Sequence, residues 1–342
     1  MKRRPQNASA RRVRAVLLAV VLVLPAAGAG ADTSDTGSRL SFTVESLLQK
    51  GFGGTAYDLS ADQGGGYTAM SRLEFPTEQM ETGVMLGISG VKDGQRQWMV
   101  QASASLSVFG ITGTMSDYDW WLYQTYPRIP WSYTYSTDTT TSWQASAEAA
   151  WKLASTGPLS ISLYGYYRHQ SASHVESSVT GWQYVWNSSK SAYDLYVLSS
   201  STSDVLEYTL TSDAPGLGIL ASLQVLPGLS LELRGAYTPV YMSDRDDHKL
   251  RTKLSTSSGW GNGAYVDLRA AYQLEHLFKA VTPYIALDGN LVWYSVTTTQ
   301  TQYWYGNADA SNGAPQGTTY TGVGHVVSSA QFQVGLRVGV TF

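Results

Sequence analysis

The sequence contains no cysteine, and only 14% of its 342 residues are charged. Without cysteine there is no disulfide framework, no cysteine-ligated metal and no thiol nucleophile. About a quarter of a soluble globular domain is normally charged, so this chain lacks the usual means of covering a surface in water. No segment has eighteen consecutive apolar residues, which excludes a transmembrane helix. A formal net charge of −3 argues against a nucleic-acid partner.

Aromatic residues, by contrast, are abundant, with 23 Tyr and 11 Trp. A chain so rich in aromatic side chains and so poor in charge is not expected to be disordered. Its length allows one large domain or two ordinary ones.

Residues 1–31 have the features of a secretory signal peptide. They hold six of the 23 basic residues and no acidic residue, followed by an apolar run at 15–24 and small residues that end in Ala29-Gly30-Ala31. This run is too short to cross a bilayer as a helix, which needs about 20 residues. Removal of the peptide leaves 17 basic against 26 acidic residues, so the mature chain, 32–342, carries a formal charge of −9.

Strict alternation between apolar and polar side chains recurs along the mature chain. At the C-terminus the apolar series is Phe332, Val334, Leu336, Val338, Val340 and Phe342. Similar series run through 98–108 and 143–153, with small or polar residues between the apolar ones. Successive side chains of a β-strand point to opposite faces, so each segment predicts a strand with one apolar and one polar face.

Small hydroxylic polar faces and aromatic residues near strand ends are typical of a transmembrane β-barrel, which is apolar outside and polar inside. A soluble β-sandwich also has alternating strands and is the alternative fold. Strands of about ten residues, the scarcity of charge and the terminal Phe342 favour the barrel.

Ten segments carry the strand pattern, and the connections between them alternate in length. The segments are 39–48, 68–90, 97–111, 141–154, 159–169, 206–226, 229–240, 263–274, 282–294 and 328–342. Short connections at 91–96, 155–158, 227–228 and 275–281 alternate with long ones at 49–67, 112–140, 170–205, 241–262 and 295–327. We therefore predict an all-β fold: a ten-stranded antiparallel transmembrane β-barrel with short periplasmic turns and long extracellular loops.

The second predicted strand is irregular. Leu73 and Phe75 have one parity, the apolar residues of 84–88 have the other, and Pro76 lies between them. A bulge or a break at this point would reconcile the two halves.

Two pairs of ionisable residues begin long loops that would emerge at the same external rim. Asp117 and Asp119 follow the third strand, and Asp246 and His248 follow the seventh. In an extended chain residues i and i+2 share a face, so the members of each pair point together. His248 is the natural general base near neutral pH, Asp246 can orient it, and the two close carboxylates can hold a water. These groups suffice for hydrolysis without a covalent intermediate or a metal.

Other interpretations fit the same residues. Acidic clusters in bacterial surface loops are commonly solvated, or they bind Ca²⁺ through oxygen ligands. The alternative function is therefore a non-enzymatic barrel, an adhesin or a small channel, with an acidic, cation-binding rim. A ten-stranded barrel is only slightly wider than the eight-stranded kind that side chains fill, so transport of large solutes is not expected.

The segments 115–120 (Met-Ser-Asp-Tyr-Asp-Trp) and 243–248 (Ser-Asp-Arg-Asp-Asp-His) resemble the omptin family of outer-membrane proteases. That family has a ten-stranded barrel whose external rim bears an Asp-x-Asp-Trp segment and an Asp-x-His segment. Residues 71–75, Ser-Arg-Leu-Glu-Phe, also resemble its second-strand motif, which usually reads Ser-x-Leu-Asp-Trp. Spacing, strand number, signal peptide and terminal Phe342 are consistent over essentially all of the mature chain. The resemblance favours catalysis over the other interpretations.

The resemblance implies a role for each of these residues. Asp117 and His248 would flank the attacking water, Asp119 would support Asp117, and Asp246 would orient His248. Asp244 matches a family acid that helps line the pocket for a basic residue before the scissile bond. Omptins cleave between basic residues and generally need lipopolysaccharide for activity.

One departure from the family pattern concerns the basic pocket. The first external loop of the family usually supplies a Glu shortly before a Tyr, whereas residues 53–58 here read Gly-Gly-Thr-Ala-Tyr-Asp. A weaker or altered preference for Arg or Lys is therefore expected. The expected protein is a monomeric endopeptidase in the outer membrane of a Gram-negative-type bacterium, with its active site facing the exterior. Its expected partners are outer-membrane lipid, lipopolysaccharide and protein or peptide substrates.

Overall fold

The computed structural model describes residues 39–123, 130–200, 204–274 and 281–342. The predicted signal peptide, 1–31, and most of the turn predicted at 275–281 lie outside the described residues. The strands are β1 Arg39–Gly64, β2 Tyr67–Pro76, β3 Gln79–Lys92, β4 Gln95–Ser107, β5 Ile111–Tyr123, β6 Pro130–Thr156, β7 Leu159–Asn187, β8 Ala192–Ser200, β9 Leu206–Leu226, β10 Leu229–His248, β11 Lys253–Gln273, β12 Thr282–Trp304 and β13 Thr319–Thr341. Within these ranges, no helix is long and apolar enough to span a bilayer.

Ten strands form a closed antiparallel ring. In the half that contains the chain ends, the order is β1-β3-β4-β6-β7-β9-β10-β11-β12-β13, and β13 pairs back onto β1. In the other half β2 and β5 take the places of β3 and β4, because these pairs are the two halves of the second and third strands. β8 pairs with the outer end of β7. The predicted ten-stranded barrel is confirmed.

The strands are longer than the sequence pattern predicts, because most of the long connections are themselves strand. Residues 49–60 continue β1 in register with β13, and residues 130–140 form the start of β6. Outward Thr137 and Thr139 alternate there with inward, buried Asp138 and Thr140. Since both faces are polar at 137–140, the hydropathy alternation disappears there while the hydrogen-bonded ladder continues. The short turns before β4, β7 and β10 are found where they were predicted.

The break expected in the second predicted strand is found, but the change of parity is not. The ladder ends at Pro76 and resumes at Gln79, and odd-numbered residues point inward on both sides of the break. Leu73 and Phe75 are buried inside the barrel, whereas Leu86 lies on the outer surface. The apparent conflict arises because the inward face carries apolar side chains near the outer end of the barrel.

An apolar belt surrounds the half of the barrel that contains the chain ends. On β13, Phe332, Leu336 and Val338 point outward and are exposed, whereas Gln331 and Gln333 point inward and are buried. A continuous exposed apolar surface of this kind is expected of a barrel that faces lipid. The polar-in, apolar-out alternation predicted for this strand is therefore confirmed.

Exposed aromatic side chains lie along the outer edge of the apolar belt. They are Trp143, Tyr167, Tyr237, Trp260 and Trp293. Aromatic girdles of transmembrane barrels lie at the two membrane interfaces. Asp246 is nine residues beyond Tyr237 on β10, which corresponds to about 30 Å along the strand at its usual rise per residue. The candidate site therefore stands well outside the apolar belt.

Ion pairs cross the lumen within the belt, beside a cavity of about 140 Å³ that Glu45 and Arg269 help to line. Glu45 pairs with Arg269 and, at 3.1 Å, with Arg337, which also contacts Asp288 at 2.6 Å. Cavities farther along the lumen have volumes of about 50 Å³ and about 10 Å³. The barrel interior is packed at these levels, so the open space of interest is at the outer mouth.

Replacing Leu336 with Arg tests the placement of the belt. A basic side chain at the lipid-facing midplane should lower the free energy of unfolding by about 2–4 kcal/mol. Thr139→Arg, which adds the same charge to the outward face beyond the aromatic girdle, should change it little. The measurement is denaturant unfolding of the barrel in lipid vesicles, and equal losses for the two variants would contradict the assignment.

Candidate active site

The two predicted pairs occupy inward positions at the outer end of the barrel. Asp117 and Asp119 lie on β5, and Asp246 and His248 lie at the C-terminal end of β10. Members of each pair share a face, as their spacing in an extended chain predicts. The strand that carries Asp246 and His248 is flanked on both sides, because β10 pairs with β9 on one side and with β11 on the other.

The β5 carboxylates are each held by a serine from a neighbouring strand. Ser71 on β2 donates to Asp117 Oδ1 at 3.5 Å, and Ser132 on β6 donates to Asp119 Oδ2 at 2.9 Å. Burial raises the pKa of Asp117 well above its ordinary value, and the nearby Asp119 raises it further. The pair is therefore arranged to retain a proton that isolated aspartates would lose.

Asp246 is bound by Tyr57 rather than by His248. The Tyr57 hydroxyl donates to Asp246 Oδ2 at 3.3 Å and itself accepts from Gln300. Among the described residues, Asp246 Oδ1 and His248 Nδ1 are buried without a hydrogen-bond partner. Side chains at i and i+2 of a strand start almost 7 Å apart, so they must lean together to touch. The predicted contact between Asp246 and His248 is not made in this structure.

Burial sets the protonation of both β10 groups. Burial raises the pKa of Asp246 to about 6, against the opposing attraction of the Lys253 ammonium. Burial, together with the positive charges of Lys253 and Arg251, lowers the pKa of His248 to about 3. The imidazole of His248 is therefore neutral throughout the physiological pH range.

The two halves of the site act on each other electrostatically across the mouth. Asp246 and Lys253, on β10 and β11, both influence the pKa of Asp117 on β5. Asp119 and Lys253 also line one open cavity of about 960 Å³, whose walls include Trp120, Trp131 and Trp304. Of the four predicted catalytic residues, Asp119 lines this cavity, and Asp117 and Asp246 are close enough to act on each other electrostatically.

Asp244, predicted to line a basic pocket, is engaged by three donors. His325 Nε2 donates to its Oδ2 at 2.7 Å, Ser257 to its Oδ1 at 2.7 Å, and Tyr208 to its Oδ2 at 3.4 Å. The inward position two residues before Tyr57, where the family pattern suggested an acid, is Thr55, and its hydroxyl is hydrogen-bonded to Ser329.

Sequence reasoning missed Lys253 and His325. Lys253 faces inward opposite His248, across the turn between β10 and β11. Its closeness in sequence to the Asp246–His248 pair was the signal that could have identified it. His325 is on β13, 81 residues from Asp244, so only the closed ring brings the two together. Within the described residues, no group of three or more His, Asp or Glu side chains is arranged to hold a metal ion.

Comparisons with known proteins agree with the fold. No protein-family model matches the sequence, and a comparison with curated proteins found no match. Among solved structures, the chain is similar to the outer membrane protease OmpT from Escherichia coli, with a TM-score of 0.69 and 15% identity, covering 88% of this chain and 97% of that chain. The translocator domain of the autotransporter NalP from Neisseria meningitidis gives a TM-score of 0.33 at 12% identity, covering 98% and 95%. At this identity the OmpT likeness shows a shared outer-membrane barrel fold.

Two histidine–aspartate contacts of similar length, one buried and one on the outer surface, allow the effect of burial on the free energy of unfolding to be measured. His325→Ala removes one of the two 2.7 Å hydrogen bonds that the buried Asp244 carboxylate accepts. This substitution should lower the free energy of unfolding by about 1–3 kcal/mol. His169→Ala removes the contact with Asp213, 2.8 Å long and on the outer surface, and should cost less than about 1 kcal/mol. Unfolding in detergent measures both, and the prediction is wrong if the outer pair costs as much.

Proposed function

We propose that the chain is an outer-membrane endopeptidase that hydrolyses peptide bonds at the outer mouth of the barrel. The observation that carries the proposal is the inward placement of the two pairs, Asp117–Asp119 and Asp246–His248, at the outer end of a barrel with the OmpT fold, beside an open cavity that Asp119 lines. The unpartnered buried atoms of Asp246 and His248 support it, because these atoms can accept or donate a hydrogen bond to a water or a substrate.

His248 is the general base of the proposed reaction. Its neutral imidazole takes a proton from a water while the water oxygen attacks the carbonyl carbon of the scissile bond. The protonated imidazole then gives this proton to the amide nitrogen as the carbon–nitrogen bond breaks. The products are a carboxylic acid and an amine, and no covalent enzyme intermediate is formed.

Asp246 stabilises the imidazolium that forms during this step. Its Oδ1 is unpartnered and lies on the same face of β10 as His248, so the carboxylate can approach the charged ring when the two side chains lean together. Tyr57 fixes the other carboxylate oxygen. Asp246 must be ionised for this role.

Asp117 and Asp119 hold and orient the attacking water on the opposite side of the mouth. Since burial and Asp119 favour the protonated form of Asp117, this pair can both donate and accept hydrogen bonds. The site stands about 30 Å along the strand beyond the aromatic girdle, so in the proposed orientation it faces the exterior of the cell.

Removal of either half of the site should abolish cleavage. We expect Asp117→Ala and His248→Ala to lower kcat/KM at least about 100-fold, the usual contribution of general acid–base groups. The assay uses the full mature barrel refolded with lipopolysaccharide and a set of peptides with dibasic and neutral sites. His169→Ala and Asp213→Asn, the same residue types on the outer surface, are the matched controls. Cleavage by the two site variants at the wild-type rate would refute the proposal, as would a wild type that cleaves no peptide.

The pH dependence of cleavage should follow Asp246. Its pKa is raised to about 6, so the carboxylate becomes available only above that pH, whereas His248 is neutral from about pH 3 upward. We expect kcat/KM to rise with pH through about 6. Asp246→Asn should cleave at a much lower residual rate, and that rate should not rise with pH near 6. A limb near pH 6 that survives in Asp246→Asn would contradict the assignment.

A further inference from the structure

The Asp244 carboxylate is closed to a substrate. Only 4% of the residue is exposed, and both its oxygens accept hydrogen bonds from within the barrel. The Tyr57 ring lies 4.5 Å from the His325 ring and 5.5 Å from the Tyr208 ring, between centroids. Phe75 stacks on Tyr208 at 4.5 Å. A basic side chain would have to displace this packed aromatic layer to reach Asp244.

Lys253 is the opposite case, a buried charge turned toward open space. It is 6% exposed and lines the cavity at the mouth. Among the described residues, no carboxylate lies within ion-pair distance of its ammonium. The Lys253 nitrogen lies 6.0 Å from the centroid of the Trp304 ring. Asp246 and Asp117 act on it only at longer range. A buried ammonium without a counter-ion is costly unless a ligand supplies one.

The other charges of the cavity are already paired or capped. Arg251 contacts Asp309 at 2.8 Å, and the Trp304 indole donates to the same carboxylate at 2.9 Å. Asp62 accepts from the backbone of Gly64 at 2.8 Å. Asp119 accepts from Ser132. Lys253 is thus the charged group on this wall, within the described residues, that has no hydrogen bond or ion pair.

We propose that the site recognises a substrate carboxylate through Lys253 next to the scissile bond, in place of a basic side chain through Asp244. The inference rests on the proposed peptidase function and names its substrate class. A carboxylate entering the cavity forms a charge-assisted hydrogen bond with Lys253. A basic side chain at the same position meets the like charge of Lys253 instead, and like charges brought together at a binding site disfavour the wrong ligand.

The test compares peptides that differ only in the residue next to the scissile bond. With both peptide ends blocked, we expect kcat/KM to fall in the order Glu, Gln, Lys, with about a tenfold advantage of Glu over Gln. Lys253→Gln should remove the Glu advantage, and Lys253→Glu should reverse the order. Arg245→Gln, which removes an exposed cation from the outward face of β10, is the matched control and should leave the order unchanged.

A second peptide arm separates two sources of the carboxylate. A Gln peptide with a free C-terminus just beyond the scissile bond is compared with its amide. Enhancement by the free terminus assigns Lys253 to a chain end, and enhancement by internal Glu assigns it to a side chain; either supports carboxylate recognition.

Three outcomes would overturn the inference. If cleavage depends on His248 but wild type cuts Lys peptides as well as Glu peptides, carboxylate recognition is wrong while the peptidase function stands. This comparison needs no Lys253 variant, so it decides the matter even where such variants do not fold. An unchanged Glu advantage in folded Lys253→Gln also overturns it. Absence of any His248-dependent cleavage removes the function and the inference together.

Discussion

The closed hydrogen-bonded ladder is the constraint on which this structure depends. In lipid, every backbone N–H and C=O group must find a partner within the protein, and a sheet achieves this only when its first and last strands pair. The register between β1 and β13, which runs from Thr43 opposite Thr341 to Ser60 opposite Gly324, provides that closure. It also continues past the apolar belt, so the same ladder that satisfies the membrane requirement carries the rim residues outward on rigid strands. A site on strands is held more firmly than one on loops.

Closure has a second consequence inside the barrel. Side chains that alternate inward must find partners in a narrow lumen, and the chain meets this demand differently at each level. Arg–Glu and Arg–Asp pairs around Glu45 cross the level within the belt, and glutamine and serine surround Glu81 above them. Near the mouth an aromatic layer around Tyr57 replaces the ionic partners. Asp246 and His248 lie beyond the ion-paired level of the lumen, where side chains of this aromatic layer are their neighbours.

The sequence was sufficient for much of the fold and for less of the site. Alternation within the apolar belt predicted the ten strands, because lipid outside and partners inside impose opposite polarity on neighbouring residues. It failed at 137–140, where water outside and a polar lumen inside remove that contrast. The i, i+2 spacing correctly placed Asp117 with Asp119 and Asp246 with His248 on shared faces. It did not predict that Tyr57 binds Asp246 or that His325 binds Asp244, since those contacts join strands far apart in sequence and depend on barrel width and stagger.

The height of the mouth determines which polypeptides can reach it. With the strand tilt usual for such barrels, about 30 Å of strand beyond the aromatic girdle raises the cavity roughly 20–25 Å above the membrane interface. An extended chain gains at most about 3.5 Å per residue. For the proposed peptidase, a tail that leaves a neighbouring protein at the bilayer surface must therefore span at least about six extended residues before one of its bonds reaches the cavity. Shorter stalks hold every peptide bond below the proposed site.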